Sequence, residues 1–119
     1  GKAGHDIHKQ EEGKIQTIQF KINGQWYTAL NGGPIFQFSE AISLQIICET
    51  QQEIDYYWEK LTEGGEEGPC GWLKDKFGLS WQVAPAILPQ LLKDPERSER
   101  VTEVYLKMKK FDINKLLQA

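Results

Sequence analysis

At 119 residues the chain has room for one domain and a single modest core. Its 39% hydrophobic and 26% charged residues are ordinary for a soluble globular protein, and four Trp, four Tyr and five Phe supply bulky core material. A net charge of −3 gives no electrostatic reason to expect nucleic acid or an anionic membrane as partner. No run is long enough to cross a bilayer and none has the order of a signal peptide, so a cytoplasmic protein is the default expectation.

Residues 1–14, with three Gly and the only two histidines, His5 and His8, read as a polar loop. Over 15–22 the pattern turns to period two. Ile18, Phe20 and Ile22 share one face and Thr17, Gln19 and Lys21 the other, which predicts a half-buried strand. Asn23-Gly24 is a hairpin signal, because both residues tolerate positive φ. The return strand is 26–30, broken by Asn31-Gly32-Gly33-Pro34, and 35–41 is a linker with two Phe.

An apolar strand is predicted over 42–48. Thr50, with Glu53 three residues on, forms a capping box for a helix whose apolar face is Ile54, Tyr57, Trp58 and Leu61. That stripe reads as core against a sheet. Gly64-Gly65 ends the helix. The acidic run of Glu63, Glu66 and Glu67 reads as a solvated loop. Strands at 70–74 and 79–84 flank the turn Asp75-Lys76-Phe77-Gly78, and capping that turn is a sufficient role for Asp75.

After Pro85 the pattern is helical. A short helix over 86–92 is interrupted by Pro89. Asp94-Pro95 reads as an N-cap with Pro at the first helical position, and Val101, Val104, Tyr105 and Met108 make the stripe of the helix that follows. Lys107, Lys109 and Lys110 suit its C-terminal dipole. Asp112 caps a last turn with Ile113, Leu116 and Leu117 inward. Cys48 and Cys70 read as reduced thiols, and neither has a second Cys or His at zinc-ligand spacing.

The residues now carry a resemblance. The segments Ala29-Leu30-Asn31-Gly32-Gly33-Pro34, 42–50, Gly71-Trp72-Leu73-Lys74-Asp75-Lys76-Phe77-Gly78-Leu79-Ser80-Trp81-Gln82-Val83 and Met108-Lys109-Lys110-Phe111-Asp112-Ile113 resemble the PhnB-like branch of the glyoxalase/bleomycin resistance/dioxygenase (vicinal oxygen chelate) superfamily. The resemblance implies an α+β fold of βαβββ modules curled around a cavity, commonly paired as a homodimer. It also implies an incomplete first module, since a full member carries a strand, a helix and a second strand before the loop that begins this chain. Roughly the first third of a chain of about 150 residues is then missing. Either the chain is a fragment, or oligomerisation completes the domain and covers its edge strands. The expected organisation is a glyoxalase-like domain over 1–93 and a C-terminal helical extension over 94–119, packed on the domain or on a partner.

In metal-using relatives His and Glu project from four strands into the cavity. Carried over by position, the last-strand Glu falls on Gln82, the His opening the second module near Ser43, and an earlier Glu near Ala29, with Asn31 next on that face. The first-strand ligand lies before this chain. Neutral amides are poor ligands for a divalent metal, so no metal and no cofactor is expected. Members of this branch are also labelled 3-demethylubiquinone-9 3-methyltransferase, but no Gly-rich strand-to-helix turn of a nucleoside-binding fold is present.

By strand alternation Asn31, Ser43, Gln45 and Gln82 are expected to share the concave face, with Trp72 beside them. Amides and a hydroxyl next to an aromatic wall suit a small polar or planar ligand. Equally, Gln45 and Gln82 can satisfy each other's hydrogen bonds. His5 and His8 are expected to be solvated loop residues rather than metal ligands or an acid/base pair on a lid. Three functions follow: a small-molecule-binding protein without a catalytic metal, a metal-dependent lyase, isomerase or dioxygenase completed by other segments or a partner, or a structural dimerisation module.

Overall fold

A computed structural model describes residues 17–119. The chain divides into two compact units, Gly1–Gln37 and Phe38–Ala119. In the first, β1 (Thr17–Ile22) and β2 (Gln25–Leu30) form an antiparallel hairpin in which Thr17 faces Leu30 and Ile22 faces Gln25. Residues 15 and 16 of the expected strand lie outside the described residues, as do His5 and His8. The turn has Asn23 at φ 48° and Gly24 at φ 81°, the positive pair on which the hairpin expectation rested. Register puts Ile18, Phe20 and Ile22 on the same face as Ala29 and Tyr27, and the Phe20 and Tyr27 rings stack at 5.4 Å.

The second unit begins with β3 (Ser43–Cys48), α1 (Gln51–Thr62), β4 (Glu66–Glu67), β5 (Trp72–Lys74) and β6 (Ser80–Pro85). Strand order is β3-β6-β5-β4, with β3 and β6 parallel and the other pairs antiparallel. This is one complete βαβββ module. α1 starts at the capping box: Thr50 accepts from the Glu53 N–H, and the Glu53 carboxylate accepts from the Thr50 N–H. It covers one face of the sheet, where Ile54 and Trp58 meet Ile46, Cys48, Leu73, Trp81 and Val83, all buried.

Three helices follow: α2 (Leu88–Lys93), α3 (Ser98–Tyr105) and α4 (Ile113–Gln118). Their buried residues are Leu91, Val101 and Leu116, and Phe111 is buried in the segment joining α3 to α4. That segment is bonded to the module. The Cys70 and Gly71 N–H groups donate to the Met108 and Lys109 carbonyls, both at 2.8 Å. Gln51, in the first turn of α1, donates from Nε2 to the Phe111 carbonyl and accepts from the Ile113 N–H.

Several expectations are corrected. β3 starts at Ser43, because Ile42 lies in a bend and is exposed. β5 starts at Trp72 because Cys70 and Gly71 take positive φ, 54° and 78°, which ends extended pairing. The acidic run is partly a strand: Glu66 and Glu67 pair with Lys74 and Leu73. Pro89 stands in the first turn of α2, where its missing N–H costs nothing, and begins that helix rather than interrupting it. Asp94 caps a turn, accepting from the Glu96 N–H, and α3 begins only at Ser98. Met108 lies beyond α3, so the four-residue stripe ends at Tyr105, whose ring packs 6.2 Å from Phe111.

Candidate functional site

The face of the second sheet opposite α1 carries the polar residues. Pairing arranges them in rows. Gln45, Gln82 and Trp72 form one row across β3, β6 and β5; Ser43, Ser80, Lys74 and Glu66 form the next and reach β4. The reason is period two: Ile46 and Cys48, Trp81 and Val83, and Leu73 face α1, so their neighbours in the chain face away. Four of the five expected site residues, Ser43, Gln45, Trp72 and Gln82, therefore share one face. Asn31 follows β2 in the first unit.

Within the first row the amides form a relay. Gln45 Nε2 donates to Gln82 Oε1 at 2.8 Å, and Gln82 Nε2 donates to the Cys70 carbonyl at 3.0 Å. The backbone carbonyl can only accept, so it fixes which end of the Gln82 amide points to Gln45. Gln45 Oε1 and one Nε2–H remain on the exposed side chain. Trp72 in the same row is 40% exposed, enough to offer a ring face.

Beside these rows lies a half-open cleft of about 450 Å³, lined by Glu40, Glu66, Pro69, Trp72, Lys74 and Ser80 among others. Lys74 Nζ stands 2.5 Å from a Glu40 carboxylate oxygen. That hydrogen bond, with the charge behind it, holds the Glu40 carboxyl below its usual range and the Lys74 ammonium above its own. The sequence reading missed Glu40, Lys74 and Ser80. Alternation from Trp72 to Lys74 and from Gln82 to Ser80 would have found two of them; nothing in the linker pattern marks Glu40.

Other candidates have structural work. Asp75 Oδ1 accepts from the Phe77 and Leu79 N–H groups, and Oδ2 accepts from Trp81 Nε1 at 2.9 Å. It closes its turn and ties it to the covered face. Cys48 is buried beneath α1, where desolvation, with the Glu53 charge second, pushes its thiol up to about 11. It is an unreactive core thiol at neutral pH. Cys70 is also a free thiol.

The donor set does not fit a tightly held divalent cation. Both ends of the Gln82 amide are engaged within the protein, and Ser43 and Gln45 bring no charge. Among the described residues no group of three His, Cys, Asp or Glu is placed to hold a metal ion. A nucleoside-type methyl donor fits no better: the turn from β3 into α1 is Glu49-Thr50, without the glycines that let a phosphate or nucleoside approach backbone.

Comparison with known proteins agrees with this architecture. The model of the family described as 3-demethylubiquinone-9 3-methyltransferase matches residues 2–84. Among solved structures the chain is similar to a PhnB protein from Bacillus cereus, described provisionally as a 3-demethylubiquinone-9 3-methyltransferase. The two are 34% identical, the match covers 64% of this chain and 68% of that one, and the TM-score is 0.55. Comparison with curated proteins finds no match. The family model reaches into β6, to within one residue of the end of the βαβββ module, and the solved relative adds the fold: this chain belongs to the family described as 3-demethylubiquinone-9 3-methyltransferase, the PhnB-like branch of the glyoxalase superfamily.

Proposed function

We propose that the chain binds a small polar or planar molecule on the open face of its second sheet, without a catalytic metal. The observation that carries this reading is the exposed pair of Gln45 and Trp72 in one row beside the cleft, where Gln45 keeps hydrogen-bonding capacity beyond its bond to Gln82. Gln82, fixed by the Cys70 carbonyl, orients the Gln45 amide, whose Oε1 and second Nε2–H can meet a ligand, and the indole of Trp72 supplies a flat apolar contact. The Lys74–Glu40 pair lines the cleft. The proposed set on this face is Ser43, Gln45, Trp72 and Gln82; Asn31, the fifth expected residue, lies in the first unit. The glyoxalase-like domain of this reading spans 1–93, with 94–119 as its helical extension. Two free cysteines suit a cytoplasmic location.

The family's methyltransferase description is not part of this proposal, because the described turn from β3 into α1, Glu49-Thr50, lacks the glycines of a nucleoside-binding turn. The test is thermal stabilisation across a panel of small polar and planar metabolites. A ligand at a hundredfold excess over its Kd should add about 2.7 kcal/mol. Trp72→Ala should abolish the shift. Equal shifts in the native protein and in Trp72→Ala would overturn the site. A stoichiometric metal, retained by protein purified without chelators or taken up from added nickel, zinc, manganese or iron, would overturn the metal-free reading.

A homodimer is the second part of the proposal. It is favoured by apolar surface without cover in the units that carry it: the hairpin, more than half exposed at Ile18 on one face and at Trp26 and Leu30 on the other, and the open sheet face with Ile47.

A further inference from the structure

A second cleft, of about 460 Å³, lies outside the sheet-face site, between the start of α1 and the segment joining α3 to α4. Its lining includes Lys107, Lys109, Lys110 and Lys115 against Asp55 and Asp112, four positive charges to two negative in a chain of net charge −3. The two acids are already engaged. Asp55 Oδ1 accepts from Lys110 at 2.8 Å and from Gln51 Nε2 at 2.9 Å, which holds its carboxyl below the usual range. Asp112 caps α4 by accepting from the Lys115 N–H. Lys107, Lys109 and Lys115 make no ion pair among the described residues.

The lysines also sit on a fixed backbone. The Met108 and Lys109 carbonyls accept from Cys70 and Gly71, and Gln51 clamps Phe111 and Ile113. Four ammonium groups against two carboxylates leave an excess of positive charge on a pinned segment, around a cleft of small-molecule size. Lys107 and Lys109 lie beyond the last helical residue of α3, Tyr105, whereas Lys115 stands in the last turn of α4.

We propose that this cleft binds a small polyanion carrying two or more negative charges, a phosphate ester or a polycarboxylate. Its volume favours a compact ligand over a nucleic acid or an extended acidic peptide.

The test is titration of the full chain with inorganic pyrophosphate and with citrate at constant ionic strength, followed by amide chemical shifts. Saturable shifts confined to Lys107, Lys109, Asn114 and Lys115 are expected with one or both probes, and the pair distinguishes phosphate from carboxylate sources. The triple variant Lys107→Gln, Lys109→Gln, Lys115→Gln should weaken binding roughly tenfold or more. The exposed control Lys60→Gln, Lys93→Gln should leave it unchanged. Non-saturating shifts spread over all lysines would overturn the site, as would equal affinity in the triple variant. Binding of polyglutamate with neither small anion would replace it with a protein-docking surface.

Discussion

Gly71 occupies a tight position near the site. A Cβ built there would lie 2.5 Å from Phe111 Cε2 and 2.6 Å from the Val83 carbonyl oxygen, and its φ of 78° is one that side-chain-bearing residues rarely adopt. Neither neighbour yields cheaply, since Phe111 is buried and the Val83 oxygen belongs to the backbone of β6. Gly71→Ala is therefore expected to lower stability by about 2–4 kcal/mol, the sum of overpacking and backbone strain. Denaturant unfolding of the variant checks this; a loss under about 0.5 kcal/mol would mean that the Phe111 ring is not seated against β5. Because Gly71 follows Cys70, whose carbonyl orients Gln82, the variant should also weaken any ligand that uses the amide relay. At this scale Cys48 has the opposite character: buried and protonated, it packs like a small apolar side chain.

Among the elements, α1 is the one whose ends are written most plainly in its residues. Thr50 and Glu53 close the start reciprocally, and Gly64 at φ 73° follows the last turn. Thr50→Ala removes the oxygen that accepts the Glu53 N–H and should cost about 1 kcal/mol in thermal or denaturant unfolding. No measurable change would show that Glu53 alone suffices as a cap. The hairpin, α1 and the turn at Asp75 were legible in the sequence because each rests on local chemistry: positive φ at Asn23-Gly24, the capping box, and a carboxylate accepting two backbone donors. What was not legible depends on distant partners. β4 is two acidic residues that count as a strand only because β5 lies beside them. The end of α3 at Tyr105 reflects the pull of Cys70 and Gly71 on the Met108 and Lys109 carbonyls, a tertiary bond that no helical period foretells. The site divides in the same way. Alternation placed Ser43, Gln45 and Gln82 on one face, whereas Glu40 entered only through its pairing with Lys74.

On the scale of the whole molecule, the two units differ in how much they bury. Phe38–Ala119 has a sheet, a covering helix and buried residues in each of its later helices. The described part of Gly1–Gln37 is a two-stranded hairpin, an arrangement that is marginal alone in water. An apolar hairpin face in the first unit and a sheet face that the helices of the second unit leave uncovered give two copies a reason to associate, and both faces can be tested without disturbing the core. Ile18 is 54% exposed and Ile47 is 47% exposed, so in an isolated chain either residue tolerates a charge at a cost within about 0.5 kcal/mol. Tyr105 serves less well, since it packs on Phe111 and its loss would report on folding rather than on assembly. In sedimentation at tens of micromolar protein, the expected mass of the native chain is about twice 13.7 kDa. Ile18→Glu and Ile47→Glu, made separately, should each shift the mass toward one chain while leaving the helical circular dichroism unchanged. Loss of the dimer in only one variant would assign the interface to that unit. A native chain sedimenting as a monomer throughout the range would remove the homodimer from the proposal and leave the sheet-face site open to solvent.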